Sequence, residues 1–278
     1  MKVYKTTSDI IIEHQDKYYL YEDEEWDQFI NDDDLYEKIE TFISNHKPIE
    51  YGAELLKDKL DAPLENQEIW ASGVTYYNSK LGREEESQKS GANYFYARVY
   101  EAERPELFFK ATKARTVASG ENVRIRDDST WDVPEPELTL VITTSGKIVG
   151  YTIGNDMSSR SIEGENPLYL PQAKCYDGSA AVGPCIYVTK EPLPKETAIE
   201  IEIERKNSVI FKGEITIDQI KRDFTELVSY LYRECTFPNG SLLMTGTGIV
   251  PSKDFTLHSG DEIRITVACI GTLTNTVE

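Results

Sequence analysis

Alternation of apolar and polar residues with a period of two dominates the chain, and helical spacing is confined to a few stretches. Ile69-Trp-Ala-Ser-Gly-Val-Thr-Tyr76 is an apolar run ending in a glycine-bearing loop. Leu138, Leu140 and Ile142 share one parity, and Val149, Tyr151 and Ile153 read as a returning strand. Residues 200–204, 209–211, 242–248 and 263–270 complete the strand-like set. Helical spacing joins Leu35, Ile39, Phe42 and Ile43 behind a cap at Asp32–Asp34. It recurs at Ile220, Phe224, Leu227, Leu231 and Tyr232 and predicts a helix within residues 216–235. Residues 77–87 are polar and read as helical or mobile, and residues 164–170 as a loop. Tyr94–Tyr100 is aromatic and reads as core. The tally predicts a β-rich α+β fold. Residues 1–62, with a hairpin over 10–13 and 17–21 and one helix, read as a small N-terminal α/β unit. Ala62-Pro63-Leu64 leads into a larger unit over 63–278.

Within that larger unit, residues 132–160 concentrate acid on one face. Glu135 and Glu137 are two apart and point the same way in a strand. Thr144-Ser-Gly-Lys147 supplies turn chemistry. With Ser145 and Gly146 as a two-residue loop, Thr144 faces Lys147 and Glu135 lies opposite Asp156, about 4.5–5.5 Å away at Cβ. Glu137 becomes the diagonal neighbour. A three-residue loop would shift this pairing. Three converging carboxylates repel, and a hard divalent cation would offset that repulsion. Two readings stand: a metal site, or a solvated acidic strand end. Pro134 and Pro136 lack N–H groups and place the strand start on an edge or rim.

Charge narrows the partners. Across 278 residues, 49 Asp and Glu outweigh 30 Lys and Arg, for a formal net charge of −19. This argues against nucleic acid and anionic membranes as partners, while a bound cation would still admit a small anionic substrate. No apolar run reaches the length of a membrane helix. Cys175, Cys185, Cys235 and Cys269 form no CxxC pair and read as reduced thiols of a cytoplasmic protein. His14, His46 and His258 have no ligand partner at i+3 or i+4. Nucleophile-elbow, P-loop and dinucleotide fingerprints are absent, and the Gly246-x-Gly248 pair reads as a turn. Glu106 and Lys174 remain beside the acidic cluster. Pro105 and Leu107-Phe-Phe109 would raise the Glu106 pKa toward the range useful for proton transfer. Lys110 has the same parity, so a structural Glu106–Lys110 pair is the alternative. This inventory suits metal-assisted enolate chemistry.

These residues resemble the fumarylacetoacetate hydrolase family. The resemblance rests on Glu135-x-Glu137, Asn155-Asp156, Lys174-x-x-Asp177 before Gly183-Pro184, Thr245-Gly-Thr-Gly-Ile-Val-Pro251, Asp254-Phe, Gly260-Asp261 and Ile270-Gly-Thr-Leu-Thr-Asn275. It covers roughly residues 66–278. It implies a mixed β-sandwich roll, a homo-oligomer (dimer or tetramer), and Mg²⁺ held by Glu135, Glu137 and Asp156, with Mn²⁺ or Ca²⁺ as alternatives. It also places Lys174 and Thr247 at the substrate's carboxylate end and Arg160 on the substrate side. Hydrolases of the family tend to carry a histidine where Ser79 stands, and a glutamine where Glu163 stands. Ser72–Tyr76 and Glu101–Lys110 resemble the sugar-acid dehydratase branch. The implied activity is Mg²⁺-dependent dehydration of a 2-keto-3-deoxy pentonate to 2,5-dioxopentanoate in pentose catabolism. An acylpyruvate C–C hydrolase or oxaloacetate-type decarboxylase is the second expectation, and a non-catalytic sugar-acid binding protein the third.

Overall fold

The computed structural model describes residues 1–86 and 98–278; residues 94–97 of the aromatic run lie outside them. Strands β1 (Lys2–Thr6), β2 (Ile10–His14) and β3 (Lys17–Tyr21) form a meander, followed by helices α1 (Trp26–Ile30), α2 (Leu35–Asn45) and α3 (Gly52–Lys59). The expected hairpin and helix are both there. Asp34 makes no side-chain cap; Asp32 instead accepts from the Asp34 N–H. Next come β4 (Leu60–Asp61), β5 (Glu68–Gly73), α4 (Tyr77–Glu86), β6 (Glu106–Ala111), β7 (Thr116–Val117), β8 (Asn122–Val123) and β9 (Asp132–Val133).

The acidic stretch folds as β10 (Pro136–Ile142) and β11 (Ile148–Asp156), then β12 (Ser158–Ser159), α5 (Arg160–Glu165) and α6 (Leu170–Lys174). The expected loop over 164–170 is thus partly helical: Ser159 accepts from the Ile162 N–H to start α5, and Pro171 sits in the first turn of α6. The remainder is β13 (Ala180–Tyr187), β14 (Ala198–Arg205), β15 (Ser208–Thr216), α7 (Phe224–Leu231), β16 (Ser241–Met244), β17 (Glu262–Val267) and β18 (Gly271–Val277). The helix read within 216–235 begins only at Phe224. Ile217–Gln219 form a 3₁₀ turn, and Ile220 bridges to Tyr76 instead.

Eleven of the described strands form one sheet ordered β3-β2-β1-β13-β11-β10-β16-β5-β6, with β4 beside β1 and β7 beside β13. A second sheet runs β15-β14-β17-β18-β8. Leu138, Leu140, Ile153 and Leu243 of the first meet Ile201, Ile203, Ile263, Ile265 and Leu273 of the second, forming the main core. The opposite face of the large sheet presents Val141, Val149, Ile186 and Val188 to Phe29, Leu35 and Ile39 of the N-terminal helices. The β-rich α+β class is as expected. Across the expected division at residue 62 the sheet runs on, because β1 pairs with β13.

Candidate metal centre and active site

The site hangs on the register of one hairpin. Pro136 pairs with Asn155 and Glu137 with Gly154, and the Asp156 N–H donates to the Glu135 carbonyl at 3.0 Å. Glu135 therefore stands opposite Asp156, as the two-residue turn predicted. The turn itself differs. Gly146, at φ 85°, closes it with its N–H on the Thr143 carbonyl, while the Thr143 N–H donates to Lys147. This three-residue loop shifts the register by one, so that Ile142 pairs with Ile148. A bulge at Val149 shifts it back, and Val141 pairs with Gly150.

Glu135, Glu137 and Asp156 are all buried, and one carboxylate oxygen of each lies within 4.8 Å of the others. Buried carboxylates at this spacing are incompatible with the solvated-strand-end reading. Burial raises the Glu137 carboxyl well above the usual range, and Asp156 and Glu135 push it further. The Lys174 charge and one main-chain donor, the Gly246 N–H at 2.6 Å, oppose them. Burial would also raise Glu135, but the Lys174, Arg160 and Arg83 charges outweigh it and hold that group at about 2. An all-oxygen, all-carboxylate set of this kind fits a hard cation such as Mg²⁺.

Lys174, the last residue of α6, is fully buried. Its Nζ donates to Glu135 Oε2 (2.6 Å), Asp156 Oδ2 (3.0 Å) and Ser158 Oγ (2.6 Å). Burial works against its charge, but Asp156, Glu135 and Glu163 raise its pKa. Lys174 is thus held among the three acceptors by the carboxylates around it. Arg160, first in α5, donates from Nη2 to Glu135 Oε1 at 2.6 Å. Thr247 is buried at the same wall, its hydroxyl accepting from the Ile249 N–H.

Glu106 opens β6 opposite Gly73. The residue is half-buried, but its Oε2 is fully buried and lacks a hydrogen-bond partner. Burial raises its pKa, with Arg83 opposing and Glu163 adding to the rise. A Cβ on Gly73 would come within 2.1 Å of Oε2, so glycine there makes room for this carboxyl. The alternative Glu106–Lys110 pair is not formed. Lys110 lies 2.6 Å from Asp156 Oδ1 instead, because the two side chains leave the strand at opposite ends of the site.

Ser79, where family hydrolases tend to have histidine, spends its hydroxyl on the start of α4: it donates to the Tyr76 carbonyl and accepts from the Tyr76 N–H. One turn on, Arg83 reaches down and ion-pairs with Glu163 of α5, both buried. Sequence reasoning missed Arg83, although its i+4 spacing from Ser79 places both on one helix face. Ser158 was also missed.

Ser72, Gly73, Ser79, Arg83, Phe108 and Thr247 enclose the carboxylates in a cavity of 10 Å³, room for about one water. Among the described residues a larger cleft, 740 Å³, lies away from this chemistry between the hairpin turn and α7. The glycine loop at 245–248 serves the centre as a turn. Gly246 has φ 94°, and a Cβ there would meet Thr75 Oγ1 at 2.1 Å and the Ser72 carbonyl at 2.8 Å. Gly246→Ala is expected to cost about 1–3 kcal/mol in backbone strain alone, and to displace the N–H on Glu137. Chemical denaturation measures the first effect and metal titration the second.

Comparison with known proteins bears on this geometry. The family model for the fumarylacetoacetate hydrolase C-terminal domain matches residues 75–278. A protein named probable 2-keto-3-deoxyxylonate dehydratase from Haloferax volcanii is 51% identical over 217 residues, which is 77% of this chain and 73% of that protein. A 2-dehydro-3-deoxy-D-arabinonate dehydratase from Saccharolobus solfataricus is 42% identical over 225 residues, 79% of this chain and 74% of that protein. A solved structure of 2-keto-3-deoxy-D-arabinonate dehydratase complexed with magnesium and 2,5-dioxopentanoate superposes with a TM-score of 0.85. It is 35% identical, covering 100% of this chain and 99% of that one.

Proposed function

The chain belongs to the fumarylacetoacetate hydrolase family, and from that premise we propose that it is a Mg²⁺-dependent dehydratase of 2-keto-3-deoxy pentonates, releasing water and 2,5-dioxopentanoate in pentose catabolism. The buried cluster of Glu135, Glu137 and Asp156 carries this reading. It fits the magnesium and the product named for the 35% identical structure, and the two dehydratases at 51% and 42% identity.

Glu135, Glu137 and Asp156 would hold the cation, which would supply Lewis-acid polarisation of a substrate oxygen; Mn²⁺ or Ca²⁺ would be the alternatives. Lys174 orients Glu135 and Asp156 at the substrate's carboxylate end. Arg160 and Thr247 bind the carboxylate end. Glu106 takes the C3 proton and returns one to the departing C4 hydroxyl, so that water leaves and the hydroxy-enone tautomerises to the aldehyde. The cavity is far below the several hundred Å³ usual for a ligand site.

Elimination is favoured over hydrolysis because the Ser79 hydroxyl is tied to the Tyr76 main chain and offers water no base. The deciding experiment follows 2-keto-3-deoxypentonates and an acylpyruvate on one preparation, with chelator, then with Mg²⁺ or Mn²⁺ restored. Expected is metal-dependent formation of 2,5-dioxopentanoate. Faster release of pyruvate from the acylpyruvate would establish the hydrolase instead, and binding without turnover of either would establish a sugar-acid binding protein. Residues 1–62 complete the reading as an N-terminal unit on the catalytic portion 63–278, in a cytoplasmic dimer or tetramer. The formal charge of −19 and the free cysteines support this setting, and among the described residues no helix is long and apolar enough to cross a membrane.

A further inference from the structure

β6 delivers three side chains to the centre: Glu106, Phe108 and, from the irregularity where Trp70 pairs with Phe109 and Ile69 with Ala111, Lys110. Glu106 carries the unpartnered oxygen and Phe108 lines the cavity. Lys110, 0% exposed, does not itself line the cavity and sits behind the wall residue Asp156. An ammonium buried this fully persists only where its three hydrogens find acceptors. Three are present. Lys110 Nζ donates to the Met157 carbonyl at 2.9 Å and to the Lys174 carbonyl, and lies 2.6 Å from Asp156 Oδ1.

These acceptors come from two separate elements of the site. Asp156 ends β11 and Met157 follows it, and Lys174 ends α6. Lys174 Nζ meanwhile holds the other oxygen of the same carboxylate, Asp156 Oδ2, together with Glu135 Oε2. The Asp156 carboxylate is thus gripped from both sides, with Oδ1 turned to Lys110 and Oδ2 toward the acidic cluster. The Lys174 main chain is fixed by the same ammonium that grips Oδ1.

We infer that Lys110 is a positioning residue for the cation site: it fixes the rotamer of Asp156 and the end of α6, so that Asp156 Oδ2 and the Lys174 ammonium present themselves to metal and substrate. The inference rests on the metal reading above and adds to it a residue that touches neither metal nor substrate. Residues behind a metal's direct ligands commonly change affinity by about 10–100-fold when removed.

The sign of the effect separates positioning from charge. Removing a positive charge beside a cation site, by itself, strengthens cation binding, because like charges repel. Loss of positioning weakens it. The experiment titrates the intact protein and its Lys110→Met variant with Mn²⁺, following free Mn²⁺ by electron paramagnetic resonance, with circular dichroism as the check on folding. Expected is a Kd about 10–100-fold weaker in the variant, with kcat recovering to within a few-fold at saturating Mn²⁺. Lys110→Gln, which keeps an amide donor, should fall between the two, and it decides the matter if the methionine variant does not fold. A Kd equal to or tighter than that of the unaltered protein overturns the inference. So does a kcat that stays depressed at saturating metal, which would make Lys110 a catalytic group. Absence of Mn²⁺ binding by the unaltered protein overturns the metal reading itself, a result distinct from both.

Discussion

Glu137→Gln is expected to lower turnover about 10³-fold while leaving the fold intact. A Lewis-acid cation is worth several kcal/mol of transition-state stabilisation, and each 1.36 kcal/mol is tenfold in rate. Glu137 is the cleanest of the three carboxylates to remove. Glu135 forms ion pairs with Lys174 and Arg160, and Asp156 with Lys110 and Lys174. Removing either acid would strand buried cations, which typically costs about 3–5 kcal/mol. Glu137 is not in any of the ion pairs that hold Glu135 and Asp156. Its partner is the Gly246 N–H, which an amide oxygen also accepts, and the substitution relieves its repulsion with Asp156 and Glu135. Steady-state kinetics with Mg²⁺ should show the loss, calorimetry should show weakened metal binding, and the melting temperature should hold or rise. Full activity in Glu137→Gln, or in the Glu135→Gln/Glu137→Gln double variant, removes the metal centre from the reaction.

Glu106→Gln is expected to lower kcat by about 10²–10⁴-fold, the contribution of a positioned acid–base group, with metal affinity unchanged. As the base that takes the C3 proton, Glu106 must be ionised in the free enzyme. Burial raises its pKa above the ordinary glutamate value. The acid limb of kcat/KM should therefore fall away at a higher pH than an exposed glutamate would give: activity is present above the raised pKa and lost as pH drops through it. In Glu106→Gln that limb should vanish. Exchange of the C3 hydrogens of 2-oxobutyrate with D₂O isolates the proton transfer from the loss of water and should slow in parallel. An exchange rate equal to that of the unaltered protein assigns the base elsewhere, to Lys174 or to a metal-bound hydroxide.

The pairing of Glu135 with Asp156 was legible because side-chain parity survives when two irregularities cancel. The three-residue loop at Thr144–Gly146 and the bulge at Val149 each shift the register by one, in opposite senses. Strand existence was legible wherever alternation was strong, as in β14 and β15. The helices were less so. Ile220 fits the apolar face of a longer helix, yet its main chain bridges to Tyr76. The polar run at 77–87 gives no apolar signal for α4, although it carries Arg83 into the site. Lys110 shows the deeper limit. Parity on its own strand suggested Glu106 as partner, and its actual partners lie 46 to 64 positions further along. Contacts of that separation belong to the arrangement of elements and leave no trace in local pattern.

The continuity of the large sheet has a practical side for anyone engineering this enzyme. The family match begins at residue 75, which invites a minimal version lacking the first 62 residues. Such a chain would lose β1 from the flank of β13 and uncover Ile186, Val188, Val141 and Val149, now capped by the N-terminal cluster. A bared strand edge beside an apolar face is a template for aggregation. Minimisation should therefore proceed from loop tips and leave the amino terminus alone. A binding module or tag placed there would have to extend outward from Met1, whose ammonium donates to the Val188 carbonyl at 3.0 Å.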